Sequence, residues 1–125
     1  MVKQTESNLI REFKGTVIEI TREKETDKFP AQYAFLIKAV DHPDWEIMRT
    51  WVSIPKTSTN ESVPKMSMLG VFTQRAEAWG LTGETHQEVI YKMKDKTFMW
   101  KDENPKVDGE YIVKKDKLFP QVLVK

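Results

Sequence analysis

Trp45, Arg49 and Trp51 fall within the run Trp-Glu-Ile-Met-Arg-Thr-Trp-Val-Ser-Ile, residues 45–54. Side chains alternate along an extended chain. Trp45, Ile47, Arg49, Trp51 and Ser53 would therefore share one face, and Glu46, Met48, Thr50, Val52 and Ile54 the other. The second set holds the aliphatics of a core face. The first mixes two indoles with a guanidinium, which cores seldom hold. Indole faces stack unpaired bases at ~1–3 kcal/mol each, whatever the base, and a guanidinium pairs with phosphate or stacks in turn. Trp51 fits either a core position or a stacking surface. Trp100 shares a face with Phe98 and is open in the same way, whereas Phe98 reads as core. Lys38, Lys14 and Arg22 on neighbouring strands, with Lys101, Lys114 and Lys115 near the chain end, supply the cations of a phosphate track.

Other chemistry is thin. There is no phosphate-binding glycine loop, dinucleotide fingerprint or zinc-protease helix. Ser62-Val63-Pro64-Lys65 fits Ser-x-x-Lys but lacks the partner motifs that give it meaning. His42 reads as a turn residue and His86 as a helix start, both at the surface. Asp41, Asp44 and Glu46 are oxygen donors of the kind a hard cation takes, but a solvated turn accounts for them. The absence of cysteine removes disulfides and thiolate zinc sites and fits a reducing compartment. The reading is a non-catalytic protein with no cofactor and no metal.

The 125 residues suit one domain spanning 1–125, and 39% apolar with 31% charged residues suits a soluble globule. No apolar run spans a bilayer, and the N-terminus lacks an apolar signal region, so a cytoplasmic location and no membrane partner are expected. Net charge is +1, which weighs modestly against heavy phosphate binding. The balance is uneven: residues 92–125 hold nine lysines and six acids, residues 1–91 eleven bases and thirteen acids.

The elements that must position these side chains can be read in order. Leu9, Ile10 and Phe13 open the apolar pattern, and residues 13–21 alternate as a first strand. Gly15 inside it suggests a bulge or bend. Residues 22–30 are a charged loop. Strands over about 32–40 and 46–54 flank the turn Asp-His-Pro-Asp. Met68, Leu69, Phe72, Ala76 and Trp79 then recur at helical spacing, with Gly80 as C-terminal cap and Leu81 as its hydrophobic contact. Thr85 and Glu88 form a capping box for a shorter helix to about Met93, carrying Val89 and Ile90. Residues 96–101 alternate again, 102–109 are turn-rich, and the apolar residues of 111–113 and 118–124 supply one broken strand or two.

This order predicts a mainly β fold: an OB-fold-like five-stranded Greek-key barrel with a helix between strands three and four. The alternative is an α+β domain whose antiparallel sheet is backed by the helix. Gly15-Thr-Val-Ile-Glu-Ile, Arg49-Thr-Trp51-Val-Ser53, Ser67-Met-Leu69-Gly-Val-Phe72, Ala78-Trp-Gly80-Leu81 and Lys94-Asp-Lys96-Thr-Phe98 follow one another. This succession, roughly residues 13–101, resembles the OB-fold single-stranded-DNA-binding proteins of phages and mobile elements. In the last motif Asp95 stands where those proteins usually carry glycine. The resemblance implies binding of single-stranded nucleic acid, DNA favoured over RNA, with a homo-oligomer or a replication or recombination protein as further partners. Such proteins often end in an acidic tail, whereas Phe119-Pro-Gln-Val-Leu-Val-Lys125 reads as strand. A second class stands beside this one: a structural or adaptor module turning the same face to a protein.

Overall fold

The structure is a computed structural model that describes residues 12–112 and 117–125. In chain order the elements are β1 (Glu12–Glu23), β2 (Gln32–Ala39), β3 (Met48–Ser53), α1 (Met68–Ala78), α2 (His86–Tyr91), β4 (Thr97–Glu103), β5 (Lys106–Val107), β6 (Glu110–Tyr111) and β7 (Lys117–Val124). The predicted apolar cluster at Leu9 and Ile10 lies outside the described residues.

Five strands form one antiparallel sheet in the order β3-β2-β1-β4-β7. β1 is its spine. Its residues Gly15 to Glu23 pair with β2, and its first residues, Glu12 to Thr16, pair with β4 on the other side. The predicted barrel is not closed: β3 and β7 are the two edges of an open sheet. α1 packs against both of these edge strands. The mainly β reading holds, and so does the alternative of an antiparallel sheet backed by helix.

Alternation dictates the core. Tyr33, Phe35, Ile37 and Ala39 of β2 point inward and are buried, as do Phe13 and Val17 of β1 and Val52 of β3. On α1 the predicted stripe is buried through Met68, Leu69, Phe72 and Ala76. Phe72 drives it into the sheet, its ring 5.4 Å from Phe35, 6.2 Å from Trp100 and 5.5 Å from Phe119. Edge-to-face and tilted packing at these distances suits the aromatic quadrupole. Val89, Ile90 and Met93 add the face of α2 and the turn after it.

The helix ends follow their local chemistry. Ser67 Oγ accepts from Gly70 N at 2.9 Å and donates to Pro64 O at 2.6 Å. After α1, Gly80 adopts φ +90, and Leu81 N donates to Ala76 O at 2.9 Å, which satisfies an orphan carbonyl. Thr85 Oγ1 accepts from Glu88 N at 3.1 Å, as the capping box requires. Asp108 and Gly109 both have positive φ, the requirement of a two-residue type I′ turn, and they join β5 to β6.

Gly15 is not a bulge. The irregularity falls three residues later: Val17 pairs with Ile37 and Glu19 with Leu36, so Ile18 is the extra residue. Gly15 is needed for packing instead. A Cβ there would lie 2.6 Å from Ile37 Cγ2, 2.8 Å from Phe13 Cε2 and 3.1 Å from Trp100 Cδ1. Among the described residues no helix is long and apolar enough to cross a membrane.

Candidate functional site

The sheet has one face under the helices and one open face. Register places the side chains of the open face. On β3, Thr50 pairs with Phe35 and is buried, so its neighbours Arg49 and Trp51 point outward, across from Leu36 and Ala34. Ala34 in turn pairs with Thr21, so the Trp51 indole stands in a row with two small residues. Trp51 is 46% exposed. Arg49 is exposed and has no ion pair or side-chain hydrogen bond among the described residues.

The same registers align four cations. Arg49 pairs with Leu36, and Lys38 stands two residues further along β2. Lys38 pairs with Thr16, and Lys14 stands two residues away on β1. Lys14 pairs with Met99, and Lys101 stands two residues on along β4. Arg49, Lys38, Lys14 and Lys101 therefore run diagonally across four strands. Each diagonal step is roughly 7–8 Å, so the track extends for roughly 20–25 Å. Thr16 and Thr97 share a 2.6 Å hydroxyl hydrogen bond within this surface. The Asp41 carboxylate accepts from Lys14 N at 3.1 and 3.2 Å, and Lys38 Nζ reaches Pro43 O at 3.5 Å. The face is not purely basic: Glu19 pairs with Leu36, and Glu12 pairs with Lys101.

Next to Trp51 is a residue that period-based reading passes over. Phe29 lies in the β1–β2 loop and is 60% exposed. A local turn holds the loop: Thr26 Oγ1 accepts from Phe29 N at 3.0 Å and Lys28 N at 3.3 Å, and Thr26 N donates to Phe29 O at 2.8 Å. Phe29 and Trp51, with Glu23 and Gln32, line a mainly apolar cleft of about 520 Å³. That volume lies in the range of small-ligand sites. An aromatic isolated in a charged loop, between a threonine turn and Pro30, is the only sequence signal for it.

Three expected residues are elsewhere. Trp45 is not on the face, because β3 begins at Met48 and Trp45 belongs to the preceding loop. It stacks on His42 at 3.9 Å and 5°, and meets Phe13 edge-on at 5.8 Å. Trp100 is 0% exposed, and its Nε1 donates to Gly15 O at 3.0 Å; it is core. Arg22 is turned away by the Ile18 bulge, which reverses the parity of β1. It pairs with Tyr33, lies 5.7 Å over that ring, and donates to Gln87 Oε1 at 2.8 Å. Lys114 and Lys115 lie outside the described residues.

Arg22, itself exposed, thereby borders a buried polar pair. Tyr33 Oη and His86 Nδ1 are 2.7 Å apart, and His86 is buried rather than at the surface. Burial pushes the Tyr33 hydroxyl up to about 12, opposed by Arg22 and aided by Tyr91. Burial lowers the His86 pKa, the Arg22 charge lowers it further, and Glu61 opposes both. A neutral imidazole against a neutral phenol is a structural pair joining β2 to α2. Among the described residues no group of acidic or histidine side chains is arranged to hold a metal.

No family model, no curated protein and no solved structure matches this chain.

Proposed function

We propose that the open sheet face binds single-stranded nucleic acid, DNA in the first place, without catalysis. The observation that carries this reading is Trp51, half exposed on β3 at the head of a diagonal of four cations. A strand laid along the diagonal would stack bases on Trp51 and Phe29 and pass its phosphates over Arg49, Lys38, Lys14 and Lys101. The strand order supports an OB-fold left open between its third and last long strands, with α1 at the gap. In that fold the β2–β3 face and the β1–β2 loop are where oligonucleotides bind. Asp95 also supports the resemblance: it takes φ +68, the left-handed conformation that the glycine of such proteins would adopt freely.

A titration with unstructured oligothymidylate across a salt series tests the proposal. Four phosphate contacts predict a log–log slope near −3, since each contact on a single strand contributes ~0.7. Absence of binding at low salt overturns the reading.

One observation favours a protein partner instead. The segment from Arg22 to Phe29, which leads to the cleft, holds three bases and three acids and is neutral overall. A protein ligand would bind with little dependence on salt, which the same series separates from a phosphate contact.

A further inference from the structure

The Phe29–Trp51 cleft holds more than stacking surfaces, because two polar side chains, Glu23 and Gln32, line it beside the rings. Gln32 pairs with Glu23 across β1 and β2, and Gln32 Nε2 donates to Glu23 Oε1 at 2.8 Å. A carboxylate only accepts, so the amide nitrogen of Gln32 must be the atom facing it. That leaves Glu23 Oε2 and Gln32 Oε1 open as acceptors, and among the described residues no other side-chain hydrogen bond uses either residue. The cleft therefore offers two acceptors, one of them charged, together with two aromatic rings.

We propose that this cleft is a subsite for one unpaired guanine. The inference rests on the single-strand reading and deepens it. Unpaired bases are read on their Watson–Crick edges once they stack on aromatic side chains. Guanine presents two adjacent donors there, N1–H and the N2 amino group, to meet two acceptors. Adenine and cytosine each present one amino donor beside a ring-nitrogen acceptor, which would face an acceptor of the cleft. Thymine presents N3–H between two carbonyls, both repelled by the Glu23 carboxylate. The carboxylate gives the guanine pairing a charge-assisted bond, stronger than a neutral one. It also explains an acidic residue beside a phosphate track: Glu23 would address a base edge and not the backbone.

The experiment uses the whole chain and four 12-residue oligonucleotides. One is all thymidine; the others carry a single central guanosine, inosine or cytidine. Affinities are read by anisotropy at 50 mM salt for the wild type and Glu23→Ala. Glu23 is exposed at the end of β1, so its removal leaves the core intact. The guanine oligonucleotide should bind about tenfold tighter than the all-thymidine one, in the range of a good bidentate base contact. Inosine, which keeps N1–H but lacks the N2 amino group, should fall between, and Glu23→Ala, as well folded as the wild type by thermal melting, should level the series. Equal affinity of the wild type for all four would overturn the guanine subsite and leave the single-strand reading standing. A guanine preference that survives in Glu23→Ala would overturn the role of Glu23. Failure to bind any of the four would overturn the subsite and the single-strand reading together.

Discussion

Trp51 and Trp100 are the same side chain on two strands of one sheet, and their surroundings are opposite. Trp100 is ringed by Phe35, Phe72 and Phe98, and its indole N–H is satisfied by the Gly15 carbonyl. Trp51 has Ala34 and Thr21 beside it and an open cleft toward Phe29. A buried indole with a satisfied donor stabilises the fold. An exposed one adds little to stability and leaves its stacking capacity for a ligand. The inner face of the sheet is thus committed to folding, and the outer face carries side chains that the core does not use.

Truncation separates the two faces most strongly. Trp100→Ala should destabilise by about 3–5 kcal/mol in urea unfolding, as large core truncations do. Trp51→Ala should change stability by less than about 1 kcal/mol in the same assay. Similar losses for the two would erase the distinction.

The Tyr33–His86 pair sharpens the comparison from the inner side. Tyr33 keeps its proton to about pH 12 in the fold, whereas the unfolded chain releases it near the ordinary tyrosine value of 10.0. Between those values the unfolded state binds fewer protons. Stability should fall as pH rises from 10 to 12, by about 2–3 kcal/mol at full separation. His86 acts at the other end. Its folded pKa lies below 6.5, so the neutral form favours folding above that pH, and stability should fall as the pH drops below it. Tyr33→Phe should remove the alkaline limb. Unfolding midpoints across pH check both signs.

How much was legible follows from what a period can say. The β2–β3 hairpin, the α1 stripe, the Ser67 and Thr85 caps and the shared face of Arg49 and Trp51 were readable, because each rests on spacing or local hydrogen bonding. Trp45 was misplaced because alternation continues through the loop before Met48, where no strand exists. Trp100 was left open because alternation tells which residues share a face, not which face is covered. Arg22 was assigned to the wrong side because one extra residue, Ile18, reverses every position after it. Phe29 was missed because a loop carries no period. The closed barrel was expected from element order, which does not fix whether the first and last edges meet.

Arg49 gives the smallest expected effect on the outer side. Arg49→Ala should leave stability unchanged and flatten the salt slope of oligonucleotide binding by ~0.7, one fewer counterion released from a single strand. An unchanged slope would remove Arg49 from the phosphate track.

The most direct measurement is a side-by-side titration of the wild type and Trp51→Ala with unstructured oligothymidylate at 50 mM salt, read by anisotropy of a labelled strand. The wild type should bind, and Trp51→Ala, equally well folded by thermal melting, should lose about 1–3 kcal/mol of affinity, the stacking of one base. Equal affinity of the two proteins, or no binding by the wild type, would contradict the assignment of this face to single-stranded nucleic acid.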